Sequence, residues 1–291
     1  MKTTMESIKE RCKNENKEIW EVALDDEMYL SKKSKEEVFE RLQRSLDVMK
    51  KSATAALDKD VRSMTGMSGG NAKVMNDYFL SNDTILGDIA TNAMAMAFST
   101  SEVNASMGRI VAAPTAGSAG ILPATLMAMY NKYKYSDEQL NKAILVASEI
   151  GQVIADSATF AGAEGGCQAE CGSASAMAAS AICYLRGADV QTQENAASIA
   201  LLIVLGLVCD PIGGMVEFPC NLRNASGVIN AMAAADMAMA GVQMFVGFDE
   251  CVAAMKEVGD AMPTTLRETG DGGIAVCESA LRLKAKYIDN K

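Results

Sequence analysis

The 291-residue sequence contains no histidine, only five prolines, one tryptophan, and seven each of phenylalanine and tyrosine. Without histidine, the chain supplies no imidazole as zinc ligand, general base or proton shuttle, so a step needing one must draw it from another polypeptide. The shortage of aromatic residues argues against a β-sandwich, which is rich in aromatic and β-branched side chains. A positive excess is also missing. The net charge of −10 disfavours nucleic acid, whose phosphates require a basic face. No long apolar run is present either. The longest, Ala196 to Cys209, is too short for a bilayer of about 30 Å and reads as a buried core helix. The first residues, MKTTMESIKERCKNENKE, are polar throughout and do not resemble a secretion signal. A soluble, cytoplasmic protein without membrane or nucleic-acid partners is expected.

What the sequence has in abundance is Ala, Met and Gly, a composition suited to close helix–helix packing. The expected fold is all-α: a polar N-terminal helical arm over residues 1–60, followed by a helical domain over 61–291. In the arm, Ser34-Lys35-Glu36-Glu37 has the pattern of a capping box. It precedes Val38, Leu42, Leu46 and Met49 on one helical face. From about Met64 the chain becomes dominated by small and apolar residues, interrupted by three glycine-rich stretches. These are Gly66 to Gly70, Ala113 to Gly120, and Gly162 to Cys167. Each precedes a segment of helical composition, an arrangement that gathers backbone N–H groups around anions. Further helices are expected over Leu140–Ala155, Glu194–Val208 and Cys220–Phe245, with Pro263–Val276 as a turn.

Eight cysteines in a reducing compartment point to metal, catalysis or plain burial rather than disulfides. Cys167 follows a glycine-rich loop, Cys209 precedes Asp210-Pro211-Ile212-Gly213-Gly214, and Cys220 follows Pro219. Such flexible or bent backbone allows sulfurs from distant segments to converge. The spacing fits neither a ferredoxin run nor a zinc pair, and by pattern alone metal ligation and burial both remain open. Cys12, Cys183 and Cys251 lack a loop context and read as buried thiols. Cys171, four residues after Cys167, would share a helical face with it. Glu164, Glu170 and Asp210 lie beside these cysteines as candidates for orienting water or an ammonium group. Lys73 lacks the surroundings of a Schiff-base lysine and reads as a surface residue. The loop Thr115 to Gly120 combines hydroxyls with backbone N–H groups at a helix start. It reads either as an eased helix contact or as a seat for a small anion.

The strings GRIVAAPTAGSAGILPATL (108–126), GAEGGCQAECGSASAMAA (162–179) and CDPIGGMVEFPC (209–220) closely resemble the bacterial iron–sulfur L-serine dehydratases, over most of residues 64–276. The chain resembles the separate α subunit of members split into α and β. The resemblance implies a [4Fe–4S] cluster held by Cys167, Cys209 and Cys220, with one iron lacking a thiolate and open as a Lewis acid. It implies L-serine as substrate, with Thr115, Gly117, Ser118 and Gly120 contacting it, and pyruvate and ammonia as products without pyridoxal phosphate. It also implies a β-subunit partner that carries histidine and supplies the general base. Many relatives have an apolar residue at the position of Cys171, which therefore stands outside the ligand set. Cys277 follows the GGIAV segment but does not end the chain, so its correspondence to the active-site cysteine that closes some single-chain relatives is open. Two alternatives are a related cluster-dependent lyase, such as an L-cysteine desulfidase, and a non-catalytic iron–sulfur sensor.

Overall fold

The structure is a computed structural model and describes residues 2–289. The described residues form helices and turns with no strand, only two isolated bridges, Arg62 to Gly69 and Cys209 to Arg267. The all-α expectation holds. The helices are α1 (Met5–Glu15), α2 (Ile19–Ser31), α3 (Lys35–Thr54), α4 (Asn71–Ser81), α5 (Gly87–Ala105), α6 (Ile121–Tyr133), α7 (Asp137–Ser157), the single turn α8 (Gly162–Gly165), α9 (Ser173–Leu185), α10 (Val190–Leu202), α11 (Cys220–Met239), α12 (Phe248–Ala261) and α13 (Glu278–Lys284).

The centre is α9. Its sequence, Ser-Ala-Ser-Ala-Met-Ala-Ala-Ser-Ala-Ile-Cys-Tyr-Leu, has no polar stripe, and every residue except Tyr184 is buried. A helix apolar on all sides is stable only when covered on all sides. Here α6, α7, α10 and α11 cover it. The small side chains let those backbones approach. At Gly227 of α11, a Cβ would come within 2.5 Å of Ile121 Cδ1, and Ser175 of α9 donates its hydroxyl to Gly227 O at 3.0 Å. Around this centre, α5 packs against α3, α4, α6 and α11.

The N-terminal helices join the same core through buried Met5, Ile8, Ile19, Leu46 and Met49. The Ser34 capping box forms, with Glu37 N donating to the Ser34 hydroxyl and Ser34 N donating to the Glu37 carboxylate. Of the apolar face expected for α3, Val38, Leu46 and Met49 are buried and Leu42 is partly so. Asp249 at the start of α12 accepts from the N–H groups of Met5 and Glu6, pinning the first turn of α1 to the far end of the chain.

Three element boundaries differ from expectation. Helix α7 extends beyond Leu140–Ala155 at both ends, running to Ser157 and starting one turn earlier because Ser136 and Gln139 form a capping box there. The apolar run from Ala196 to Cys209 is not one buried helix. Helix α10 ends at Leu202, the chain turns, Ile203 is 55% exposed and Gly206 adopts a left-handed φ of 85°. The amide of Gln168 holds this turn, accepting from Gly206 N at 2.9 Å, and Leu207 O accepts from Gln168 N at 3.0 Å. Helix α11 stops at Met239, short of Phe245, where Gly241 takes the left-handed conformation common after helix ends. Phe245 is 89% exposed. No helix among the described residues is long and apolar enough to cross a membrane.

Candidate active site

Cys167 is placed by Gly166, whose φ of 75° favours glycine and whose missing Cβ would meet Met262 Cε at 2.7 Å and Leu207 O at 2.9 Å. The chain then makes a π-helical turn, Gln168–Gly172, before α9. Such wide turns are rare and concentrate at functional sites. The turn brings the Cys167 and Cys171 sulfurs to 3.4 Å.

Cys209 arrives from the turn after α10. Its backbone is gripped by the segment after α12: Cys209 N donates to Leu266 O at 2.8 Å, and Glu268 N donates to Cys209 O at 2.6 Å. The tail expected as a plain turn therefore walls the site, as two short 3-10 segments, Thr264–Leu266 and Gly273–Val276. Glu268 itself is held in the left-handed region, at φ 62°. Cys209 Sγ reaches so close to Gly162 that a Cβ there would lie 3.0 Å from it, and also 3.0 Å from Glu170 Oε2.

Cys220 opens α11. One helical turn on, Asn224 donates to both Cys220 O at 2.8 Å and Gly117 O at 2.7 Å, and its Oδ1 accepts from Gly120 N at 2.8 Å. The glycine-rich loop is thus clamped to the helix carrying Cys220. On the loop, the Thr115 hydroxyl donates to Glu170 Oε1 at 2.7 Å and accepts from Ser118 N at 3.3 Å, while Gly117 lies against the Glu170 carboxylate. Ser118, Gly120 and Ile121 use their N–H groups internally. The first glycine-rich stretch closes the other side, where the Thr65 and Ser68 hydroxyls each donate at 2.7 Å to the buried carboxylate of Glu217. A narrow cleft of about 10 Å³, room for about one water, runs between Ser68, Gly117, Glu217 and Cys220.

The electrostatics follow from burial. Cys167 is held well below the usual thiol value by hydrogen bonds from the Cys171 and Cys209 thiols, with the Arg223 charge assisting. Burial pushes Cys220 up to about 12. Burial also pushes Glu170 up to about 7, against the opposing pull of the Thr115 hydroxyl. Arg223, three residues after Cys220, pairs with Asp210 at 2.6 Å, yet its Nη1 is buried without a partner. Asp210 Oδ2 also accepts from Ile274 N at 2.8 Å.

Cys167 therefore contacts both Cys171 and Cys209, and Cys220 is linked to them through the loop, Asn224 and the charge of Arg223. Among the described residues, no three Cys, Asp or Glu side chains stand at the spacing of a single metal ion. Of the three carboxylates flanking the cysteines, Glu170 lies in the site, Asp210 braces it, and Glu164 is exposed. Lys73 pairs with Asp77 on the exposed side of α4. Cys277 is exposed, and Cys12, Cys183 and Cys251 are buried elsewhere. Arg223, Asn224, Glu217 and Glu268 were not anticipated. The first two carried a readable signal, lying three and four residues after Cys220 on the same helical face.

Fold and site together define an all-helical protein in which thiols buried at helix ends lie beneath a hydroxyl-bearing, glycine-rich loop. The chain belongs to the serine dehydratase alpha chain family, whose profile matches residues 14–275. It is 49% identical over 288 residues to the L-serine dehydratase, alpha chain, of Peptoniphilus asaccharolyticus, covering 99% of both chains. It is 43% identical over 270 residues to the probable L-serine dehydratase, alpha chain, of Bacillus subtilis, covering 93% of this chain and 90% of the relative. L-serine dehydratase 2 of Escherichia coli is 42% identical over 183 residues, which span 62% of this chain and 40% of that longer protein.

Proposed function

We propose that this chain is the α subunit of an L-serine dehydratase, a lyase that eliminates water from L-serine to give pyruvate and ammonia. The observation that carries the reading is the meeting of Cys167 and Cys209, from segments about forty residues apart, beneath the loop that Thr115 ties to Glu170. The names of the relatives supply the substrate, serine.

The donor set fits a [4Fe–4S] cluster. Cys167, Cys209 and Cys220 are buried and free of disulfides, Gly162 leaves room for the Cys209 sulfur, and the orphaned Nη1 of Arg223 suits an anionic group. These three cysteines would hold it, and Cys171 would stand beside it. When bound through three thiolates, such a cluster offers one Lewis-acidic iron to the departing hydroxyl.

The chain's own residues then bind and orient. The rim N–H groups of Ala116 and Gly117 receive the serine carboxylate, with Thr115, through its bond to Glu170, and Ser118 and Gly120 shaping the loop behind them. Serine is larger than the cleft, so the rim between Ser68 and Ala116 opens on binding. Glu170 faces the ammonium side. The α-proton passes to a base on the companion β subunit, a role supported by the lack of histidine here.

Anaerobic purification with iron and sulfide counting tests the reading. Bound iron and turnover of serine in preference to cysteine are expected, with iron lost on Cys167→Ala, Cys209→Ala or Cys220→Ala and kept on Cys12→Ala, Cys183→Ala or Cys251→Ala. A colourless wild-type preparation would overturn it. Full turnover without the β subunit would instead move the base to this chain, with Glu170 first in line.

A further inference from the structure

A second cavity, of about 660 Å³, lies between α1, α2, α3 and α7, and none of the cysteine-site residues lines it. Its size falls within the range of small-molecule sites, roughly 300 to 1,000 Å³. One polar group in its wall has been left over. Glu149 is only 4% exposed, and its Oε1 has no hydrogen-bond partner. The other charges are paired or exposed, Lys2 standing exposed at the rim. Arg11 holds Asp26 at 2.6 Å, and Arg41 holds Glu27 at 3.2 Å. Asp156 accepts from Thr3 N at 2.7 Å and from the Gln152 amide at 2.9 Å. Between these groups Val38, Leu42 and Leu145 form an apolar stretch of the wall, beside Ser7, Ser45 and Ser148.

The geometry points to a binding site for a small organic cation, its ammonium group received by Glu149 and its aliphatic or aromatic body lying on Val38, Leu42 and Leu145. An anion is disfavoured, because both arginines already hold carboxylates, Lys2 is exposed at the rim where water screens it, and Glu149 would repel an anion within. A neutral donor would satisfy the orphaned oxygen but would forgo the charge-assisted bond, roughly twice as strong. Burying a carboxyl without a donor is unfavourable, and burial pushes Glu149 up to about 7. An ammonium ligand relieves both penalties at once. The site is independent of the proposed dehydration, and its readout is binding alone.

The test is calorimetric titration of the whole chain, kept free of oxygen at mildly alkaline pH, with hexylammonium as probe and hexanol and hexanoate as controls. Saturable binding of one hexylammonium per chain is expected, with neither control saturating at the same millimolar concentrations. Glu149→Gln should weaken it at least roughly tenfold. Ser45→Phe, which fills the cavity from its rim and leaves the carboxyl in place, should do the same. Absence of saturable binding to the wild type, or equal affinity in either variant, overturns the proposal.

Discussion

Thr115 donates its hydroxyl to Glu170 Oε1 at 2.7 Å, joining the glycine-rich loop to the cysteine-bearing π turn across 55 residues of sequence. Replacing Thr115 by Val keeps the shape and removes the donor. A buried carboxyl deprived of a neutral hydrogen bond loses about 1 kcal/mol or more. The loop would then be held by Asn224 and by Asn104, which donates to Ala116 O at 3.2 Å. We expect Thr115→Val to raise KM for serine roughly tenfold, with iron content unchanged. Thr115→Ser should restore KM. Steady-state kinetics beside an iron assay decide it, and an unaltered KM would remove Thr115 from substrate positioning.

Asn224 serves two carbonyls and one N–H, on Gly117, Cys220 and Gly120. All three partners are buried; Asn224→Leu leaves Gly117 O and Gly120 N unsatisfied, while Cys220 O keeps the helix bond from the backbone N–H of residue 224. At about 1 to 3 kcal/mol for each of the two orphaned groups, the loss of stability should reach about 2 to 6 kcal/mol. Urea unfolding measures it. A loss below about 1 kcal/mol would mean that water replaces the amide.

The fold class was legible because helical composition and caps act locally: Ser34 and Glu37 form their box within four residues. The cysteines could be singled out because Gly166 and Pro219 mark special backbone beside them. What the sequence could not show was long-range partnership. Glu217 and Glu268 look like ordinary surface carboxylates until the fold brings Ser68 to one and Cys209 to the other. The turn at residues 203–206 was hidden for the same reason. Its apolar residues continue a helical pattern, and only the distant Gln168 amide shows why the helix stops there.

Two glycines with similar φ differ in what surrounds them. Gly166 and Gly206 have φ of 75° and 85°, but a Cβ on Gly166 would strike Met262 and Leu207 O, whereas Gly206 faces open space. Gly206→Ala should lose about 1 kcal/mol, the left-handed penalty alone. Gly166→Ala adds the strain of a ψ of −179° and displaced packing next to Cys167, for about 3 kcal/mol in all. Comparing denaturation midpoints of the two variants checks the difference, and equal losses would refute the close contact.

Glu149 gives a pH dependence whose sign is fixed. Burial raises its carboxyl from 4.5 to about 7 in the folded chain. Between those values the unfolded chain has released its proton and the folded chain retains it, so stability falls as pH rises through this window. Below it the penalty is absent, and above about pH 7 it is complete, at roughly 3 kcal/mol. Glu149→Gln removes the titrating group, and Glu102 and Glu170, also raised to about 7, cancel in the comparison. The variant should therefore match the wild type near about pH 5 and exceed it by up to roughly 3 kcal/mol near about pH 8. Urea unfolding at the two pH values gives the difference. Parallel stability curves would mean that Glu149 ionises as an exposed carboxylate does, with water or a neighbouring cation already at its side.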